Sequence, residues 1–121
     1  MTQPITVYAY ARCSTCRKAS EWLQAKGIAF VEKPIYTEPP SATELRRMLA
    51  LQGGEIRKLF NTSGLEYRAR NLKEILPTLS TEDALALLAS DGRLVKRPFV
   101  LAGEVGLLGF REEHWEKALQ R

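Results

Sequence analysis

Cysteine and histidine are scarce in this sequence. Its 121 residues hold two cysteines, Cys13 and Cys16, and one histidine, His114. A structural zinc site wants four ligands. The cysteine pair supplies half of one, and His114 lies far off in the C-terminal tail, so no metal is expected. Long apolar runs are missing as well, which excludes a transmembrane helix. The N-terminus, Met1-Thr2-Gln3-Pro4, has neither the basic start nor the apolar stretch of a signal peptide. A cytoplasmic location is therefore expected, where thiols are kept reduced and the acceptor-like Asn61-Thr62-Ser63 would not be glycosylated. A strong charge of one sign is also lacking. The formal net charge is +4, and basic residues alternate with acidic ones, as in Glu44-Leu45-Arg46-Arg47. That mixing describes a solvated face, and direct nucleic-acid binding is not expected. A small anion is a separate matter, because two or three basic groups at one spot suffice for it. There are no internal repeats, linkers or low-complexity segments.

What is present is ordinary for a globular protein: 45% hydrophobic and 26% charged residues. A chain of this length forms one domain and buries a core without covalent staples. Ile5 to Tyr10, rich in β-branched and aromatic residues, reads as a buried strand. From about Ser14 to Lys26 the pattern turns helical, with Ala19, Trp22 and Leu23 on one face and Gly27 as the stop. Ile28 to Ile35 reads as a second strand, parallel to the first, and Tyr36-Thr37-Glu38-Pro39-Pro40 breaks it. Ser41 and Glu44 form a capping box for a helix with Leu45, Met48 and Leu49 inward, and Gly53-Gly54 interrupts it. A short helix from about Glu55 to Phe60 and a turn at Asn61-Thr62-Ser63-Gly64 follow. Ser80 caps another helix, with Leu85 and Leu88 inward, ended by Asp91-Gly92. Phe99–Ala102 and Val105–Phe110 read as a hairpin about Gly103-Glu104, and Glu112 to about Gln120 as a closing helix.

This order is α/β: a thioredoxin-like fold with a mixed sheet of about four strands. Residues 1–36 and 93–121 form the thioredoxin-like part and 37–92 a helical insertion.

The chemistry lies in Cys13-Ser14-Thr15-Cys16, directly after a strand and opening a helix. At a helix N-terminus, unpaired N–H groups and the macrodipole favour an anion. That position favours the thiolate of Cys13, and thiolate is the nucleophile. Cys16, one turn on, can resolve a mixed disulfide on Cys13. Arg12, Arg17 and Lys18 add positive charge. An inert buried pair is the alternative, but it leaves the strand-to-helix placement unexplained. A second signal is Lys96-Arg97-Pro98 before a strand. An X-Pro bond there can be cis, and in thioredoxin-like folds a cis-proline faces the cysteine motif, which would point Arg97 at Cys13. A plain loop proline is the alternative. The candidate catalytic residues are thus Cys13, Cys16 and Arg97. The candidate anion- or substrate-binding residues are Arg12, Ser14, Thr15, Arg97 and Pro98. Trp22 and Trp115 read as core, and His114 as a surface or helix-packing residue.

Cys13-Ser14-Thr15-Cys16-Arg17-Lys18-Ala19, Trp22-Leu23, Pro39-Pro40-Ser41, Leu59-Phe60-Asn61-Thr62-Ser63-Gly64, Tyr67-Arg68, Ala89-Ser90-Asp91-Gly92, Lys96-Arg97-Pro98 and Val105-Gly106 to Gly109-Phe110 run in order along nearly the whole chain. In these the sequence resembles the arsenate reductase (ArsC)/Spx family, and within it the arsenate-reductase-like members that carry a Cys-x-x-Cys. For the reductases, the resemblance implies that Cys13 attacks arsenate and that glutathione and glutaredoxin complete the cycle. Of the three oxyanion-binding arginines of those enzymes, Arg97 matches one. Phe60-Asn61-Thr62 stands where another is expected, and Phe110 where the last is, with Arg111 one step off register. Ala9 replaces the histidine four residues before the cysteine. For the Spx regulators, the resemblance implies that Cys13 and Cys16 form a redox switch. It also implies that the surface around Gly53-Gly54 docks on the C-terminal domain of the RNA polymerase α subunit. The expected activity is thiol–disulfide oxidoreduction, with a thiol reductant (glutathione, glutaredoxin or thioredoxin) or a small oxyanion as partner and no cofactor. The alternative is a polymerase-binding redox regulator.

Overall fold

The computed structural model describes residues 4–119. Four strands form one sheet in the order β2-β1-β3-β4. Strand β1 (Ile5–Ala9) pairs in parallel with β2 (Val31–Pro34) and antiparallel with β3 (Phe99–Ala102), which pairs antiparallel with β4 (Val105–Leu108). This is the expected thioredoxin-like mixed sheet. β1 is central and buried on both faces, which is why its side chains read as a near-continuous apolar run. Ile5, Val7 and Ala9 face helix α1 (Ser14–Ala25) and helix α6 (Glu112–Ala118), together with Cys16, Ala19, Leu23 and Trp115. Tyr8 and Phe99 face the other way. They meet helix α2 (Ala42–Leu51), the short helices α3 (Leu65–Ala69) and α4 (Leu72–Ile75), and helix α5 (Thr81–Ser90). Trp22 and Trp115 are buried and stack edge-on, so both belong to the core.

The caps follow the sequence closely. Ser41 Oγ accepts from the Glu44 N–H, and Glu44 returns the bond to the Ser41 N–H at 3.0 Å. Glu44 also accepts from the Tyr8 hydroxyl at 2.7 Å, which ties α2 to the sheet. Burial and that carboxylate hold the Tyr8 phenol protonated well above its ordinary range. Ser80 Oγ accepts from the Asp83 N–H and starts α5.

Three boundaries differ from expectation. The second strand begins at Val31, not Ile28, because the Ile28 N–H is used by Leu23 O in closing α1 over Gly27 (φ 69°). The fourth strand ends at Leu108, because Gly109 turns left-handed (φ 74°). The segment from Glu55 gives only a 3-10 turn, Ile56–Leu59. The closing helix runs to Ala118, and Gln120 lies outside the described residues. Helices α3 and α4, in a stretch the sequence left unassigned, have only five and four residues. Such helices form by packing rather than propensity.

Asp91 anchors the far end of the helical layer. It accepts from the backbone N–H and guanidinium of Arg93 and from Arg70, while Glu66 bridges the same two arginines. The Arg93 hydrogen bonds hold its carboxyl below the ordinary aspartate range. A carboxyl depressed by folding stabilises the fold above its unfolded pKa, about 3.9, and loses that contribution as pH falls through its lower folded value. Asp91→Asn should therefore cost about 1 to 2 kcal/mol at pH 7. The gap to the wild type should close in acid, read from urea midpoints across the range from neutral to pH 2. A gap independent of pH would show that Asp91 acts by shape alone.

Candidate active site

The strand register decides which residues meet. Tyr8 pairs with Phe99, and Phe99 with Leu108, while Ala9 pairs with Pro34. The C-terminal ends of β1, β2 and β4 and the start of β3 therefore lie at one end of the sheet. Residues 10–13, 35–36, 97–98 and 109–111 converge there, at the carboxyl ends of the parallel pair, where α/β sheets commonly place their sites.

Cys13 is the N-cap of α1, with extended backbone angles (φ −90°, ψ 112°). Its N–H donates to Tyr10 O at 3.0 Å, and its Sγ accepts from the Cys16 N–H at 3.2 Å. The sulfur thus occupies the place of a capping oxygen, on a free backbone donor at the positive end of the helix. Cys13 is partly exposed; Cys16 is 2% exposed. Burial pushes the Cys16 thiol up to about 12, helped by its hydrogen bond to Cys13, while the Tyr10 backbone and the Arg97 charge pull it partly back. Both cysteines are free thiols.

Cys13 opens into a cleft of about 1290 Å³, which Thr15 and Arg97 also line. Arg57, Lys58, Lys96, Arg97 and Arg111 stand on its walls against one carboxylate, Glu55, which is paired with Lys58 at 2.9 Å. The cleft is basic, although the whole chain is only mildly so. The Arg97–Pro98 peptide is cis, and Pro98 is buried behind the cleft, its carbonyl accepting from the Gly109 N–H.

Of the residues singled out from sequence, Cys13, Cys16, Thr15, Arg97 and Pro98 come together here. Arg12 and Ser14 are exposed and do not line the cleft. His114 is exposed as expected, but it lines the cleft rather than lying remote from it, because β4 returns the chain to the Cys13 end of the sheet. Where two oxyanion arginines were sought, Phe60 is buried in the core beside Tyr67, and Phe110 packs against Trp22 and Trp115. Both phenylalanines reach the cleft wall, as do Asn61, Thr62 and Arg111. Tyr10 and Tyr36, not singled out from sequence, stack on one another beside Arg97. Among the described residues no three of His, Cys, Asp and Glu are placed to hold a metal, and no helix is long and apolar enough to cross a membrane.

Fold and site together define a thioredoxin-like protein with a Cys-x-x-Cys at the start of its first helix. The chain belongs to the ArsC family, whose sequence profile matches residues 8–118. It is 45% identical over 113 residues to the uncharacterised protein YusI of Bacillus subtilis, covering 93% of this chain and 96% of that one. It is 29% identical over 117 residues to the global transcriptional regulator Spx of Enterococcus faecalis, covering 97% and 87%. Among solved structures it resembles a possible arsenate reductase from Streptococcus mutans, with a TM-score of 0.86, 39% identity, and 94% and 98% of the two chains covered.

Proposed function

We propose that this protein is an ArsC-like thiol–disulfide oxidoreductase with Cys13 as nucleophile and Cys16 as resolving thiol. The observation that carries the reading is the Cys13 sulfur, capped by the Cys16 N–H and facing a basic cleft. The Cys13 thiolate attacks one sulfur of a substrate disulfide. A mixed disulfide forms and the other substrate sulfur leaves as a thiolate, which takes up a proton. Cys16 then loses its proton and attacks the Cys13 sulfur, expelling the second substrate thiol. The substrate disulfide is reduced by two electrons and the Cys13–Cys16 pair is oxidised by two. A dithiol such as reduced thioredoxin or glutaredoxin, or two molecules of glutathione, returns the pair to the thiol state. The test is incubation with a small disulfide, followed by mass spectrometry and a turnover assay coupled to each reductant. A Cys13–Cys16 disulfide and catalytic turnover are expected. If strong oxidant produces no such disulfide, the resolving role of Cys16 is lost.

In the same assay, arsenate reduction with glutathione and glutaredoxin is expected to be poor. Two family arginines are replaced by Phe60-Asn61-Thr62 and Phe110. At about 1.5 to 3 kcal/mol for each charged contact, turnover should fall about a hundredfold to ten-thousandfold below that of a three-arginine reductase. Brisk turnover at sub-millimolar arsenate would reverse this and assign the oxyanion to Arg111, which does line the cleft.

A second reading is a Spx-like redox regulator. It is favoured by the relationship to Spx and by the position of Gly54, which lies on the rim of the same cleft as Cys13. Oxidation at Cys13 could then be felt at the surface around Gly53-Gly54. Binding to the polymerase α C-terminal domain that depends on the oxidation state, measured by pull-down, would favour this reading over the enzyme.

A further inference from the structure

Arg97 is held in an unusual way. Among the described residues no carboxylate pairs with it, and its Nη1 is buried without a hydrogen-bond partner. A partly buried guanidinium with one nitrogen sealed off and unpartnered has to be kept in place by something other than a counter-ion. The neighbours that remain are two tyrosines. Tyr10 and Tyr36 stack nearly parallel, with ring centroids 4.0 Å apart and planes 12° apart. The Arg97 guanidinium carbon lies 5.5 Å from one centroid and 5.3 Å from the other. A point so nearly equidistant from two rings this close together sits beside the stack, against both rims, rather than over either face. The pair is therefore a wall two rings thick more than a face-on cation–π contact.

The wall is fixed by the backbone that carries the thiols. Tyr10 O accepts the Cys13 N–H, and Ala9 O accepts the Ile35 N–H, so each tyrosine is pinned within one residue of a main-chain bond. Tyr10 is half-buried and packs partly on the core, but Tyr36 is 38% exposed and core packing does not account for it.

We propose that Tyr10 and Tyr36 are positioning residues that clamp Arg97 beside the Cys13–Cys16 pair and so set the redox poise of that pair. This rests on the oxidoreductase reading above. Arg97 favours the reduced, anionic sulfur over the neutral disulfide, so holding it in place makes the disulfide more oxidising. The Tyr10 backbone bears on Cys16 directly, but the two rings act through Arg97.

The test uses the full chain equilibrated in glutathione redox buffers, with the alkylation rate of Cys13 at pH 7 measured alongside. Tyr36→Ala removes a solvent-facing ring without opening the core. It should raise the equilibrium constant for disulfide formation about threefold to tenfold and slow alkylation by a similar factor. Tyr36→Phe keeps the ring and should leave both near the wild-type values. Arg97→Ala should give at least the shift of Tyr36→Ala, and the double variant no more than Arg97→Ala alone, since the tyrosine acts through the arginine. No shift in Tyr36→Ala overturns the clamp. So does a shift that simply adds to that of Arg97→Ala, because a generally loosened structure would add. If no disulfide forms in any variant, the oxidoreductase reading fails by itself. The alkylation rate, which needs only Cys13, still decides the clamp.

Discussion

Cys13→Ser is expected to lower disulfide-exchange turnover by at least about a thousandfold, because it removes the partly exposed thiol of the pair and a serine hydroxyl is a poor nucleophile without an adjacent base. The two thiols are not interchangeable, and the Cys16→Ser variant shows the difference. Cys16 is buried, so it contributes to the second step and not the first. With it removed, Cys13 should still attack and the mixed disulfide should accumulate, released only by external thiol. In the wild type, release by Cys16 needs its thiolate. Burial is the leading cause of the rise in that thiol to about 12. Once Cys13 is tied up in the mixed disulfide, its hydrogen bond and charge no longer contribute. The burial penalty remains, and it has the same sign. A thiol titrating well above the working range gains thiolate with every unit of pH, so the resolving step should accelerate about tenfold per unit between pH 6 and 9. Stopped-flow release of a chromogenic thiol from the preformed mixed disulfide reads this slope. A flat profile would mean that Cys16 is deprotonated by a group that this site does not display. A Cys13→Ser variant that kept its turnover would move the chemistry off this motif altogether.

How much of the site could be read from the sequence depends on how far apart along the chain its parts lie. The strand, the Cys-x-x-Cys and the helix are local: a β-rich run, a capping position and a 3.6-residue apolar period fall within twenty-five residues. Arg97 and Pro98 are distant from Cys13, yet they sit in a recognisable tripeptide at a strand start. Arg111, His114 and Tyr36 carry no such mark. They reach the site because Leu108 pairs with Phe99 and Pro34 with Ala9, and a register of this kind is set by the assembled sheet, not by any one segment. The basic cleft has the same origin. Arg57 and Lys58 come from the helical layer and Lys96 and Arg111 from the strand ends, so a nearly balanced chain gathers its cations at one place. The stretch holding α3 and α4 was unreadable for a different reason. Helices of one turn bury single anchors, Tyr67 and Leu72, and leave no period to detect.

The largest effect on stability is expected from the smallest substitution, Gly92→Ala. Gly92 follows Asp91 at the end of α5, and its backbone passes against the chain that leaves β2. A Cβ built there would lie 1.8 Å from the Ile35 carbonyl oxygen and 2.8 Å from its carbon. Both are main-chain atoms of a fully buried residue, so no rotamer change relieves the clash and one of the two segments must move. Overpacking against backbone falls among the few mechanisms that exceed ordinary mutational cost. A loss of about 3 to 5 kcal/mol is expected, or roughly 10 to 25 °C in melting temperature for a chain of this size. Two other glycines separate this cause from its rivals. At Gly54 (φ 79°) a Cβ meets nothing within 4 Å, so Gly54→Ala should cost only the left-handed backbone, about 1 to 2 kcal/mol. At Gly106 a Cβ would strike side chains rather than backbone, the Met48 sulfur at 2.7 Å and Leu51 Cδ1 at 2.9 Å, so Gly106→Ala should fall short of Gly92→Ala. The order Gly92, then the other two, follows from what each new methyl would strike. Equal melting temperatures for the three would mean that α5 and the β2 exit do not meet as closely as their backbones indicate. Because the displaced residue is Ile35, the damage should also reach Tyr36 and through it Arg97. Whatever Gly92→Ala protein survives should therefore alkylate more slowly at Cys13, 79 residues away in the chain, than Gly106→Ala protein of the same remaining stability.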